Sequence, residues 1–325
     1  MRTNARTPIR AILVIAVLVL LLLPAGAADK LRVGKAIQNA FSFTPLDIGI
    51  ATGIFARHGL DVEPTVFAGS AKLHQGLAAD SVDIGLGSGP ELAFVAKGAP
   101  VLGVAAMAGP PLLLGLVVGK DAPEHAIADL KGRPISCSTA GSLTSWMVRE
   151  LSRQQGWGPD GIKVVPLGSD QTQIAAMRTG QTDGMPMDLA TVYKLEGMGE
   201  ARLLMKLGDL VKDFHMHVIY ARRGLIASDP ELIRRFLAGW FETIAFMHNN
   251  KAETVRIAAP VMSVSPEIAG KVYDETLSMF SLDGHFDDKA LATLRRSFVD
   301  MELLPSEPDM SKLYTTEFLP HASHS

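Results

Sequence analysis

The sequence predicts an α/β protein built as two similar lobes that face each other across a cleft. Three observations carry this. A pattern of apolar strand, Gly-Ser turn, helix and Asp-containing turn occurs twice, roughly a hundred residues apart: GLDVEPTVFAGSAKLHQGLAADSVDIG from Gly59 to Gly85, and GIKVVPLGSDQTQIAAMRTGQTDG from Gly161 to Gly184. Strand-like runs alternate with helix-length segments, which is the pattern of α/β units around a mostly parallel sheet. The runs VLGVAAM and LLLGLVV are almost continuously apolar, as strands buried on both faces should be.

A chain of 325 residues is long enough for two domains of ordinary size. Its formal charge of −3 gives no basic surface for nucleic acid, so that partner class is not expected. The N-terminus carries Arg2, Arg6 and Arg10, then the unbroken apolar run Ala11 to Leu23, then Pro24 and the small residues Ala25-Gly26-Ala27-Ala28. That order is a secretory signal peptide cleaved near Ala28. The run is short for a membrane span, which needs about 20 apolar residues. Cleavage removes three arginines and no acid, moving the charge from −3 to −6. The mature chain is therefore expected to be exported. Cys137 is the only cysteine, so no internal disulfide can form, and the core must supply the stability. It reads as a small buried hydrophobe.

Leu31 to Ile37 reads as the first strand, and Phe41 to Thr44 as the loop after it. Thr44 is a candidate N-cap with Pro45 in the first turn, and one helix is expected through to Gly59. A helix from Ser70 to Ala79 and a strand from Val82 to Leu86 follow. Gly87 to Pro90 is a turn, Glu91 to Lys97 helical and Val101 to Met107 a strand. Ala108-Gly109-Pro110-Pro111 then interrupts, marking the first crossing between lobes. A strand at Ile135, a turn at Ser138 to Ser142 and a helix from Leu143 to Gln155 lead into the second repeat. His215 to Ala221 reads as the strand returning to the first lobe. Ser228-Asp229-Pro230-Glu231 starts a long helix, with further helices from Pro266 and Asp287, and His321 to Ser325 is a loose terminus. The expected division is signal peptide 1–28, a discontinuous first lobe of 29–111 plus 219–325, and a second lobe of 112–218.

In open α/β sheets the ligand crevice lies at the carboxyl ends of the strands. The turns there are rich in small hydroxyl residues: Phe41-Ser42-Phe43-Thr44, Gly69-Ser70, Ser88-Gly89, Thr139 with Gly141-Ser142, and Asp188. Helix N-termini at such turns offer free N–H groups, while Ser and Thr add short directional hydrogen bonds. Each hydroxyl can equally be the cap of its own helix. Asp188 either caps the helix that follows or faces the cleft, where it would repel anions and attract a cationic or hydroxyl-bearing group. Phe41 and Phe43 can stack on a ligand or sit in the core. His215 and His217 share one face of a strand, but a third metal ligand is not evident. His215 is kept as a ligand contact, and neither metal nor cofactor is expected. Gly85-Leu86-Gly87-Ser88-Gly89 misplaces its serine for a nucleophile elbow, and no HExxH or CxxC pair is present.

Several segments in order resemble one family: PLDIGIATGIFARHGLDVE (Pro45 to Glu63), LAADSVDIG (Leu77 to Gly85), AFVAKGAPV (Ala93 to Val101), DLKGRPI (Asp129 to Ile135), GSLTSWMVRELSRQQGW (Gly141 to Trp157) and MRTGQTDG (Met177 to Gly184). Together, from Leu31 to Phe246, they resemble the solute-binding proteins of ABC importers of the nitrate, sulfonate and taurine type, which include binders of thiamine-pyrimidine precursors. The resemblance implies a type II periplasmic binding protein, two doubly wound lobes joined by two crossover strands with the ligand enclosed between them. It further implies a monomer that binds a small molecule and docks on an ABC permease of the inner membrane. The turns named above would line the cleft. None of them carries Arg or Lys, so a carboxylate or a neutral or aromatic heterocyclic solute is as admissible as a sulfonate or nitrate. The alternatives are an enzyme on the same fold, of pyrimidine-synthase or menaquinone-pathway type, or a binding module serving a sensor or another transporter. The signal peptide and the single cysteine speak against the enzyme.

Overall fold

The computed structural model describes residues 28–320 except positions 68 and 141. The expected signal segment up to residue 27, Gly141 of the candidate site and the tail 321–325 lie outside the described residues.

Among the described residues, ten strands form two five-stranded sheets. In chain order they are β1 (Asp29–Lys35), β2 (Leu60–Val66), β3 (Ile84–Ser88), β4 (Val101–Ala108), β5 (Leu114–Gly119), β6 (Pro134–Cys137), β7 (Lys163–Pro166), β8 (Gly184–Asp188), β9 (Ala201–Lys206) and β10 (His217–Arg222). The first sheet runs β2-β1-β3-β10-β4 and the second β7-β6-β8-β5-β9. Position by position the two sheets match. In each, the first two pairings are parallel and the last two antiparallel.

The sheets are thus mixed rather than mostly parallel, for a topological reason. β5 and β10 each arrive from the other sheet, so each begins at the end where its neighbour stops. Leu114 pairs with Asp188 and His217 with Ser88, and from there both strands run backwards. The two connections lie side by side, the Met216 N–H donating to the Gly109 carbonyl at 3.0 Å. The repeat also shows in one ion pair. Arg32 grips Asp83 at the start of β3 (2.7 Å), and Arg133 grips Asp183 at the start of β8 (3.0 Å).

The helices cover the sheets with their apolar stripes. In the helix Pro230–Asn249, Asp229 accepts from the Leu232 N–H at 3.0 Å, Pro230 opens the first turn, and Leu232, Phe236, Trp240 and Ile244 recur every fourth residue on the buried face. Phe236 stacks on Phe55 at 5.4 Å between centroids. The segment expected as one helix up to Gly59 is two, Thr44–Ala51 and Ile54–Arg57. Gly53 takes φ +69°, the left-handed conformation that ends a helix and that glycine adopts at least cost. A further helix, Lys251–Met262, lies between the two long C-terminal stretches and was not foreseen.

Candidate functional site

Two cavities adjoin at the carboxyl ends of β1, β3, β6 and β8, each lined from both sheets. The larger, about 560 Å³, has Gly69, Ser70, Ser88 and Glu91 on one wall and Ser138, Thr139, Ser142 and Leu143 on the other. The smaller, about 350 Å³, is lined by Gln38, Asn39 and Ser263 facing Asp170, Asp188, Thr191 and Lys194. Ile37 lines both, and its side chain is 48% exposed. The two cavities are therefore chambers of one cleft, with an apolar residue at their junction.

The first wall is set by backbone geometry. Gly69 holds φ +106°, a region that L side chains rarely adopt, and the helix Ser70–Ala78 begins there without a side-chain cap. Its first N–H groups are left for solvent or a solute. Ser88 ends β3. Its N–H donates to the Glu91 carboxylate at 2.7 Å, and its carbonyl accepts from the Tyr220 hydroxyl at 2.7 Å. Burial holds that phenol far above its ordinary pKa. Glu91 is only 2% exposed, and its other oxygen lies 2.7 Å from His74 Nε2, itself buried. This buried pair fixes the turn that presents Ser88.

The opposite wall is built differently. Ser142 Oγ accepts from the Ser145 N–H (3.2 Å) and donates to the Thr139 carbonyl (2.8 Å), so it caps the helix Leu143–Gln154. Ser169 caps the helix Asp170–Arg178 in the same way, accepting from the Thr172 N–H at 3.3 Å, and Asp170 sits in the first turn. Asp188 does both things the sequence allowed. Its Oδ1 accepts from the Ala190 N–H at 2.9 Å, while Oδ2 is buried without a partner. Burial pushes its pKa up to about 7, against the pull of the Ala190 N–H and with help from the Asp170 carboxylate.

Of the expected site residues, Gly69, Ser70, Ser88, Thr139 and Ser142 come together in the larger chamber, and Asp188 stands in the smaller. Five others belong to the scaffold. Phe41-Ser42-Phe43 folds as a tight 3₁₀ turn whose side chains point inward. Phe41 packs on Phe280 and Tyr273, and Phe43 edge-on against His217. Thr44 is buried and donates to the Phe41 carbonyl at 2.7 Å. Gly89 is a packing glycine, since a Cβ there would stand 1.8 Å from the His215 carbonyl oxygen. His215 is buried against Phe286, its Nε2 accepting from the Asp287 N–H at 2.9 Å. Burial lowers its pKa, and lowers that of His217 to about 4, so both rings are neutral. Among the described residues no group of three or more His, Cys, Asp or Glu is placed to hold a metal ion.

Sequence reasoning missed Ile37, Glu91 and Lys194. Ile37 was counted into the first strand, which ends at Lys35. Lys194 comes from the second turn of the helix after Asp188, so reading the turns alone could not reach it.

Among curated proteins, the chain is 25% identical to a Brucella abortus (strain 2308) protein provisionally named as a binding protein, over 76% of this chain and 77% of that one. Solved structures share the fold at lower identity. The periplasmic aliphatic sulphonate binding protein SsuA from Escherichia coli superposes with a TM-score of 0.75 at 18% identity, covering 88% of this chain and 92% of that one. The ligand-binding component of an ABC-type import system from Staphylococcus aureus, solved with zinc bound, reaches 0.76 at 15% identity (91% and 100%). An enzyme is also among these neighbours: a cysteine-to-serine variant of DSZB in complex with biphenyl-2-sulfinic acid, at 0.67 and 16% identity (90% and 97%). The fold is therefore that of the periplasmic binding proteins. The model of the NMT1/THI5-like family matches residues 40–254, and the chain belongs to that family.

Proposed function

We propose that the protein is an exported solute-binding protein, which captures a small solute between its lobes in the periplasm and delivers it to the permease of an ABC importer. The observation that carries this is the cleft itself. Polar groups from both sheets, Ser70 and Ser88 on one side and Thr139 and Asp188 on the other, enclose one space at the ends of the strands. A solute touching both walls favours the closed arrangement by its differential affinity for it. The lobes on this reading are 29–111 with 219–325, and 112–218. They rotate about Gly109–Leu112 and Phe214–Val218, where the chain crosses twice.

The names of the relatives support binding and import, while DSZB keeps an enzyme in view. The thiol of Cys137 speaks against an enzyme built on cysteine chemistry. It is buried, donates to the Thr139 carbonyl, and burial raises its pKa, so the reactive thiolate is disfavoured.

A thermal-shift screen of alkanesulfonates, carboxylates and pyrimidines, followed by small-angle scattering with any hit, tests the proposal. Binding raises the melting temperature by mass action, and closure shrinks the radius of gyration. Turnover of a compound without either change would favour the enzyme instead.

A further inference from the structure

The two crossings are not the only material joining the lobes. Two late helices are fixed to the first lobe yet reach across to the second, one beside each chamber. The helix Asp288–Asp300 is anchored by Leu294, which packs at Gly89, and by Asp287, whose N–H donates to His215. At its far end Asp300 accepts from the Trp146 indole N–H at 3.2 Å and pairs with Arg153 at 3.4 Å. One turn earlier, Arg296 pairs with Glu150 at 3.4 Å. Trp146, Glu150 and Arg153 lie on the helix Leu143–Gln154, which packs on the second sheet. Trp146 is buried and stacks on Phe214, in the second crossing, at 5.2 Å between centroids. The helix Pro266–Thr276 is fixed to the first lobe by Tyr273, which packs on Phe41 and donates to the Met247 carbonyl at 2.6 Å. Its Glu275 accepts from the Tyr193 hydroxyl and pairs with Lys206 at 3.0 Å, both from the second lobe. Lys271 stands 3.5 Å from the centre of the Tyr193 ring.

Both helices adjoin the cleft. Leu303 lines the larger chamber just after Asp288–Asp300 ends, and Ser263 and Val264 line the smaller just before Pro266–Thr276 begins. Glu302 and Ser263 each hold φ +58°, a left-handed conformation disfavoured for residues other than glycine. The chain thus accepts strain at the two points where these helices meet the cleft.

We propose that these two helices form a clasp that keeps the lobes facing each other, with Asp300 and Glu275 as its positioning residues. This rests on the two-lobe capture reading and adds what sets the resting angle. Each grip ties an element of one lobe to an element of the other. The lobes therefore cannot turn about Gly109–Leu112 and Phe214–Val218 without breaking or re-forming a grip. Neither acid lines a chamber, so both act on capture only through the balance between lobe arrangements. Hydrogen bonds to charged groups are among the stronger ones, so loss of either acid should raise the ratio of separated to facing lobes roughly tenfold.

Pulsed electron–electron resonance on the unliganded protein tests this, with nitroxides on Gln75→Cys and Ala175→Cys. These are exposed positions on the first helix of each repeat, and Cys137 is buried and stays unlabelled. Asp300→Ala and Glu275→Ala should each add a population at longer distance, and the double variant a larger one. Arg178→Gln breaks the ion pair with Glu200 inside the second lobe and should leave the distances as in wild type. Should an alanine variant fail to fold, Arg296→Gln with Lys206→Gln removes one exposed partner from each grip and should shift the distances the same way, by less. Distances unchanged in every folded variant, or lengthened as much by Arg178→Gln, overturn the inference. That result leaves the binding function standing, because the thermal-shift screen decides it separately. A screen without hits counts against the binding function, while the distances still decide the clasp.

Discussion

Asp188→Asn should make the unliganded protein more stable, and increasingly so as pH rises from about 4 to about 7. An ionised carboxylate with one oxygen buried and unpartnered is a liability to the fold. Its pKa stands at about 7 in the folded chain, against an ordinary 3.8. The folded state therefore holds this proton more tightly than the unfolded state. The penalty is absent below about pH 4, grows as pH rises between the two values, and is complete above about pH 7. Each pKa unit is worth about 1.4 kcal/mol, so the full penalty is on the order of 4 kcal/mol at most. Asparagine caps a helix as well as aspartate does, so the bond from the Ala190 N–H survives the exchange. The amide replaces the charge by a neutral dipole and removes most of the penalty. At about 2–4 °C per kcal/mol for a chain of this class, the variant should melt roughly 5–10 °C above wild type at pH 8. At pH 4.5 the gap should shrink to roughly a quarter of that. Circular dichroism melts of both proteins from pH 4.5 to 8 decide it. Curves that run parallel across that range would show that Asp188 is solvated as the free acid is.

Three further outcomes follow from the walls of the cleft. Gly89→Ala drives a Cβ into the His215 carbonyl, so β3 and β10 must part; a loss of about 1–3 kcal/mol should appear as a lower urea midpoint with unchanged slope. His74→Ala strands the buried Glu91 carboxylate and should cost about 3–5 kcal/mol, with part recovered in the double variant His74→Leu/Glu91→Gln. Ser142→Ala removes the cap of the helix Leu143–Gln154 and should cost about 1 kcal/mol in chemical denaturation, while any probe that binds wild type keeps its Kd, because that hydroxyl is already spent inside the protein.

What the sequence made legible followed from local chemistry. The doubled strand-turn-helix pattern is one unit per sheet, and the turns at Gly69-Ser70, Ser88, Thr139 and Asp188 do end strands on a shared cleft. What escaped it depends on partners far away in the chain. Phe41 and Phe43 turn inward because Tyr273, Phe280 and His217 wait there, from segments more than 170 residues later. Gly89 looks like a loop glycine until β10 brings the His215 carbonyl against it. The direction of β5 and β10 is set by the crossing between sheets, which no local propensity encodes. Asp188 is the intermediate case. Its capping role is readable from its place before a helix, but that its second oxygen is buried without a partner exists only in the folded chain.

That contrast shows how two units of like topology can present unlike walls to one cleft. Each repeat anchors its last strand with the same Arg–Asp pair, and each aims a helix N-terminus at the cleft. The first places Gly69 and Ser70 there and leaves the N–H groups open, so its end keeps the positive half of the helix dipole for an incoming acceptor. The second places Ser169 and Asp170 there, closing its own end with a cap and setting a carboxylate over the dipole. Asp188 deepens the asymmetry from the neighbouring strand. The scaffold repeats because each sheet must be built and pinned in the same way. The two helix ends differ at the cleft: the first leaves its N–H groups open, while the second closes its own with Ser169 and sets Asp170 near Asp188 and Lys194.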